Sequence, residues 1–99
     1  MTEAVYYILL ALRKPNHGYG IIQEVERLTG GRVALGAGTL YGAIQTLEKK
    51  MWIEIYSVGT TSRKKKEYVI TDLGRAAFEA ERVRLEELLK NAELMGELK

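Results

Sequence analysis

The stretch Gly38-Thr39-Leu40-Tyr41-Gly42-Ala43-Ile44-Gln45-Thr46-Leu47-Glu48-Lys49-Lys50-Met51-Trp52 decides the fold. At about 100° per residue, Leu40, Ala43, Ile44, Leu47 and Met51 fall on one side of a helix, a stripe that anchors it in a core. Gly42, Gln45, Thr46 and Lys49 fall opposite, with Thr39 and Tyr41 at the edges. A solvated helix face ordinarily mixes Glu with Lys. This face instead offers an amide, hydroxyls and a single cation, and Gly42 keeps it slim, which suits base edges and phosphates in a DNA major groove.

Upstream, residues 2 to 13 read as a helix, with Thr2 as N-cap and Pro15 forcing the stop. Val5, Ile8, Leu9 and Leu12 make one apolar stripe, but Tyr6, Tyr7 and Leu10 make the other side apolar too. Two apolar sides point to a subunit interface; the alternative is a central helix covered all round by its own chain. Asn16-His17-Gly18-Tyr19-Gly20 reads as turns leading to a second helix, whose apolar positions Ile21, Ile22, Val25 and Leu28 end at Gly30-Gly31. Gly18 and Gly20 are expected as turn formers, since no strand precedes them and the dinucleotide fingerprint is missing. Arg32-Val33-Ala34-Leu35 alternates weakly, as one short strand would.

Downstream, the period changes to two. Ile53, Ile55 and Ser57 fall on one side of a strand, Glu54, Tyr56 and Val58 on the other, and Glu67 to Thr71 returns with Tyr68 and Ile70 on one face. Between the strands lies a polar loop ending in Arg63, Lys64, Lys65 and Lys66. Alone it can be a solvated hairpin tip that protects an edge; beside the slim polar helix face it reads as a phosphate-binding wing. Thr71 and Asp72 then start a last helix running to Leu94 or beyond. Ala77, Phe78, Leu85, Leu88, Leu89, Ala92 and Met95 recur on it at three-four spacing, like a short coiled-coil seam.

Composition limits the alternatives. The 99 residues, 46% of them hydrophobic, suffice for one domain with one modest core. The absence of cysteine excludes disulfides and thiolate metal sites, and the lone His17 makes no metal cluster and has no nucleophile or acid at a catalytic spacing. The longest apolar run, Ala4 to Leu12, is far short of a bilayer span, so the expectation is a soluble cytoplasmic protein with no membrane partner. The net charge of +2 is unevenly spread: +1 over residues 1–37, +3 over 38–71 and −2 over 72–99. The basic excess thus accompanies the central helix.

The order helix, helix-turn-helix, basic wing, long terminal helix is that of a winged helix-turn-helix transcription factor with an appended dimerisation helix, mainly α with a small β-wing. Three motifs narrow it. His17-Gly18-Tyr19-Gly20-Ile21, Gly38-Thr39-Leu40-Tyr41 followed by Ala43-Ile44 and Leu47-Glu48, and Tyr68-Val69-Ile70-Thr71-Asp72-Leu73-Gly74 resemble the signature of PadR-type bacterial repressors, in the short subgroup.

That resemblance implies no enzyme activity; with no cysteine and one histidine, no metal is expected either, and no cofactor. It implies a homodimer in which the last helix packs on the first and last helices of the partner, through Tyr6, Tyr7, Leu10, Leu85, Leu88, Leu89, Ala92 and Met95. Residues 1–71 would form the DNA-binding region and 72–99 the dimerisation helix, within one compact domain. Thr39 and Tyr41 would meet phosphates of a double-stranded, pseudo-palindromic operator. Gly42, Gln45, Thr46 and Lys49 would face its groove, and Arg63 to Lys66 would add backbone contacts.

Two departures stand out. Family members often carry Pro where this chain has Gly42, and Gly where it has Met51. The members that bind flat cationic drugs use a tryptophan in the last helix, whereas the single tryptophan here is Trp52, expected as core or staple. Tyr6, Tyr7 and Phe78 remain as the candidate pocket for a small aromatic effector. The competing functional reading is a non-enzymatic protein-interaction module on the same scaffold. An apolar or mixed wing would favour it, and the continuous cationic tip argues for DNA.

Overall fold

The computed structural model describes residues 1–58 and 66–98, without the side chain of Leu98. The order is α1 (Glu3–Ala11), β1 (Asn16–His17), α2 (Gly18–Thr29), α3 (Ala37–Lys49), β2 (Ile53–Val58), β3 (Lys66–Ile70) and α4 (Asp72–Asn91), the last continued by a 3-10 turn over Ala92–Leu98. The fold is mainly helical with one small antiparallel sheet and a long C-terminal helix.

Thr2 caps α1 as its sequence predicts, its hydroxyl accepting from the Val5 amide at 3.1 Å. Ile8, Leu9 and Leu12 are completely buried. They meet Ile21 and Val25 of α2, Leu40, Ile44 and Leu47 of α3, and Ile53, Tyr68 and Ile70 of the sheet in one core. Helix α2 ends where Gly30 and Gly31 take φ values of 62° and 84°, and the Gly31 amide reaches back to the Glu26 carbonyl at 2.9 Å. Thr71 caps α4 by accepting from the Gly74 amide at 3.0 Å.

The sheet has the order β1-β3-β2. Its third strand is Asn16–His17, paired antiparallel with Tyr68 and Glu67, and not the expected Arg32–Leu35, which forms no strand. Instead, Thr29 organises that segment by accepting the Val33 amide on its hydroxyl at 3.1 Å. The alternation of β2 also fails beyond Ile55: Ile55 opposes Tyr68 while Ser57 opposes Glu67, leaving Tyr56 as the extra residue of a bulge. Ser57 therefore lies on the face opposite Ile55, where its hydroxyl donates to Glu67 at 2.6 Å.

Gly18 and Gly20 are part of the first turn of α2 and not turn formers ahead of it. Their value is steric: a Cβ on Gly18 would lie 2.6 Å from the Tyr41 hydroxyl, and one on Gly20 would collide with the Asn16 side chain.

A compact chain of this length has a radius of gyration near 13 Å. The value here is 16.0 Å, with a long axis of 63 Å. The excess is α4, of which Gly74 and Glu81 are the buried residues, while Leu85, Leu88 and Leu89 are exposed.

Candidate nucleic-acid interface

Helix α3 sorts its residues as the helical period requires. Leu40, Ile44 and Leu47 are at most 2% exposed, while Thr39, Tyr41, Gly42, Gln45, Thr46 and Lys49 are all exposed on the opposite side. The helix begins one residue before the quoted stretch, at Ala37, with Gly36 in the N-cap position and no side chain capping its first amides. Nothing lies within 4 Å of a Cβ placed on Gly42, so that glycine leaves open space on the outer surface. The Thr46 hydroxyl donates to the Gly42 carbonyl at 3.2 Å, which orients it along the helix.

Tyr41 is half exposed, with its hydroxyl seated over Gly18 of α2. That contact fixes the ring at the junction of the two helices of the helix-turn-helix. Behind it, burial pushes the Tyr68 hydroxyl above its ordinary pKa, and Glu48 and Tyr41 nearby act in the same direction. Arg27 and, less strongly, Arg13 converge on Glu24 of α2, at 2.6 and 3.1 Å, and hold its carboxyl below its usual range.

Met51 does not belong to the buried stripe to which its spacing assigns it. The helix stops at Lys49, and Met51 takes φ 62° with 69% of its surface exposed. The Met51 amide donates to the Glu48 carbonyl at 2.9 Å and the Trp52 amide to the Leu47 carbonyl at 3.0 Å, a left-handed C-terminal cap that glycine makes most easily. Trp52 is partly buried against the core, with the Lys50 ammonium 4.6 Å from its ring centroid. A Cβ on Gly74 would collide with the Trp52 carbonyl, so the start of α4 is pressed against the turn between α3 and β2. Of the wing cations, Lys66 is exposed at the start of β3, whereas Arg63, Lys64 and Lys65 lie outside the described residues.

On the far side, Tyr6 stacks on Phe78 at 4.4 Å and 27°, and meets Tyr7 edge-on at 5.9 Å. Tyr6, Tyr7 and Leu10 are each half-buried. Beside the rings lies a cavity of about 360 Å³, lined by both tyrosines, Arg32, Glu81 and Leu85 but not by Phe78. Glu81 is 9% exposed and was not anticipated from sequence; Arg84 at 2.7 Å and the N-terminal ammonium at 3.6 Å compensate its charge. Nothing in a glutamate amid other charges marks it as buried. By contrast, Gly18 and Gly74 lie within the motifs His17–Ile21 and Tyr68–Gly74, and that placement was the signal available for their close contacts.

Two helices joined by a turn, the second exposing a polar face, followed by an antiparallel wing, define a winged helix-turn-helix protein. The chain belongs to the transcriptional regulator PadR-like family, whose model matches residues 8–80. The proteins of this family are transcriptional regulators and not enzymes. An uncharacterised protein from Lysinibacillus sphaericus is 41% identical over 68 residues, 68% of this chain and 62% of that protein's length. Among solved structures, a PadR family transcriptional regulator from Eggerthella lenta superposes with a TM-score of 0.79 at 22% identity, covering 96% of this chain and 82% of that one. A transcriptional regulator from Clostridium thermocellum gives 0.77 at 23%, with 92% and 89% covered. Bacillus subtilis PadR in complex with operator DNA gives 0.75 at 23%, with 97% and 60% covered. No helix among the described residues is long and apolar enough to cross a membrane.

Proposed function

We propose that the chain is a homodimeric, operator-specific transcriptional repressor released by a small aromatic effector. The observation that carries this reading is the outer face of α3, where Thr39, Tyr41, Gly42, Gln45, Thr46 and Lys49 are exposed together, opposite the buried Leu40, Ile44 and Leu47. Tyr41 and Thr39 contact phosphates, Gln45, Thr46 and Lys49 face base edges, and the cations Arg63 to Lys66 supply contacts to the backbone that carry no sequence information. The fold shared with Bacillus subtilis PadR, which is solved in complex with operator DNA, supports DNA binding by this chain.

A single short helix reads too few base pairs for genomic specificity. Two must act from one rigid dimer, on half-sites about one DNA turn, or roughly 34 Å, apart. The surfaces of Leu85, Leu88, Leu89, Ala92 and Met95, all exposed, together with Tyr6, Tyr7 and Leu10 of α1, provide the dimer contact. The effector is assigned to the side of α1 that carries Tyr6 and Tyr7, next to Phe78.

Selection of bound duplexes from a random pool tests this. The expected outcome is enrichment of a pseudo-palindrome. Gln45→Ala should then cost roughly 1–3 kcal/mol on the selected site and far less on random DNA. Failure to enrich any sequence would reject the reading, and equal losses on both DNAs would make Gln45 a backbone-positioning residue.

A further inference from the structure

A groove of about 740 Å³ opens where the end of α3, the start of β2 and the first turn of α4 meet. Its floor is Ile53 and Ile70, both buried, and its walls are Met51, Ile55 and Leu73, which are 69%, 44% and 55% exposed. Three large apolar side chains left open together form a patch that neither the outer face of α3 nor the leucine surface of α4 uses. The rim sets three carboxylates, Glu48, Glu54 and Asp72, against the guanidinium of Arg75. None of these four enters an ion pair among the described residues. Net negative charge over an apolar floor repels nucleic acid and selects a partner that combines apolar with cationic groups.

The backbone narrows the kind of partner. Strand β2 is the outer strand of the sheet. The Thr71 amide donates to the Trp52 carbonyl at 2.9 Å, which makes Ile53 opposite Ile70 a non-hydrogen-bonded pair, and two residues on Ile55 opposite Tyr68 is another. The N–H and C=O of Ile55 therefore point away from β3, towards the open edge. The strand sequence Ile-Glu-Ile-Tyr-Ser-Val has no proline, so the bulge at Tyr56 and the single charge of Glu54 are the devices along it that discourage indiscriminate pairing. Glu54 projects to the face opposite Ile55.

We infer that the β2 edge and its groove dock an extended segment of a partner protein, added as a further strand, whose apolar side chains enter the groove and whose alternate Lys or Arg side chains face Glu54. Main-chain bonds to Ile55 hold the segment, Met51 and Leu73 cover its apolar side, and Glu48 and Asp72 add to the potential that draws its cations. The surface is separate from the outer face of α3, so the inference stands whether or not the chain binds an operator.

The probe is a fluorescein-labelled, acetylated hexapeptide amide of alternating valine and lysine, titrated with the full chain by anisotropy and followed by amide chemical shifts. Saturable binding with shifts centred on Ile53 to Tyr56 and Leu73 is expected. Glu54→Lys and Ile55→Lys, both at exposed positions and checked for folding by thermal melting, should each weaken binding at least tenfold. N-methylation of the valines keeps charge and apolarity but removes main-chain donors, and should also weaken binding at least tenfold.

No binding, shifts centred on α4, or equal binding of the valine-glutamate counterpart would overturn the proposal. Undiminished binding of the N-methylated peptide would make the occupant an apolar cation and not a strand. Self-association without peptide that Glu54→Lys abolishes would make it a second copy of this chain.

Discussion

The hydroxyl of Tyr41 lies 2.6 Å from the point a Cβ on Gly18 would occupy, so a ring on α3 is set in place by a missing side chain on α2. Gly74 stands in a similar relation to the backbone of Trp52, with 2.9 Å separating its would-be Cβ from the Trp52 carbonyl carbon and from Ile70 Cγ1. The two contacts differ in what can yield. Tyr41 is half exposed and can swing outward, whereas Trp52 and Ile70 are held by the sheet.

Gly74→Ala should therefore destabilise the fold by about 2–3 kcal/mol, as overpacking does. Gly18→Ala should change stability by less than about 1 kcal/mol, since removing a helical glycine offsets part of the clash. It should nevertheless lower affinity for the selected operator by roughly five- to tenfold, or about 1 kcal/mol, because Tyr41 leaves its place. Denaturant midpoints at constant m and duplex titrations separate the two effects. If Gly18→Ala binds the operator as tightly as the parent, Tyr41 does not act through that contact.

Met51 carries a left-handed cap that costs a non-glycine residue roughly 1–2 kcal/mol. Met51→Gly should recover part of this, about 0.5–1 kcal/mol after the greater unfolded-state freedom of glycine. Met51→Val, with a β-branched side chain, should lose stability. Gly42→Ala, at an exposed helical site with nothing within 4 Å of the new Cβ, should gain about 0.5–1 kcal/mol. Thermal melting of the three variants gives the order, and a lower melting temperature for Met51→Gly would show that the cap is not strained.

Met51 also marks where the sequence stops being legible. Leu40, Ile44 and Leu47 could be placed because a repeating period outweighs any one residue, and Thr2, Thr71 and Gly30 because a cap is local chemistry. Met51 continued the same period; the one sign against it was the glycine that family members often carry there, and the cap closed by the Met51 and Trp52 amides turned it outward. Strand β1 is two residues long and carries no period at all; it exists because β3 offers a partner across the chain. The bulge at Tyr56 is equally invisible, since alternation along one strand says nothing of the count on the other. The outer face of α3 was legible for the complementary reason that its residues make few contacts with the rest of the fold.

The hydrogen bond from Arg84, reinforced by its charge and by the N-terminal ammonium, holds the Glu81 carboxyl down to about 2 against the opposing effect of burial. Its folded pKa is thus below the usual 4.5 of the unfolded chain. The stability it contributes is fully present above about 4.5 and is lost as pH falls towards about 2. Denaturant titrations at successive pH values should show weakening across that window, with Glu24 and Glu79, also lowered by their arginine partners, adding to it. Glu81→Gln should flatten the dependence; an unchanged slope would mean that folding does not lower the Glu81 pKa.

If the chain acts as the proposed dimer, Leu88 is the position that most directly links assembly to operator binding. It is 54% exposed, between Leu85 at 39% and Leu89 at 75%, on a helix that extends beyond the core. The open fraction of these three leucines, counted on both chains at about 2 kcal/mol per fully buried side chain, gives of order 7 kcal/mol before association costs, so the apolar surface of α1 must add to it for a stable dimer. Leu88→Glu should place a charge in that surface without touching the core. The variant should melt cooperatively, sediment as a monomer, lose tight binding to the palindromic site and retain weak, salt-sensitive binding to any duplex, because α3 and the wing are unchanged. A folded, monomeric Leu88→Glu protein that binds the palindrome as tightly as the parent would show that specificity arises within one chain and that the exposed leucines serve another contact.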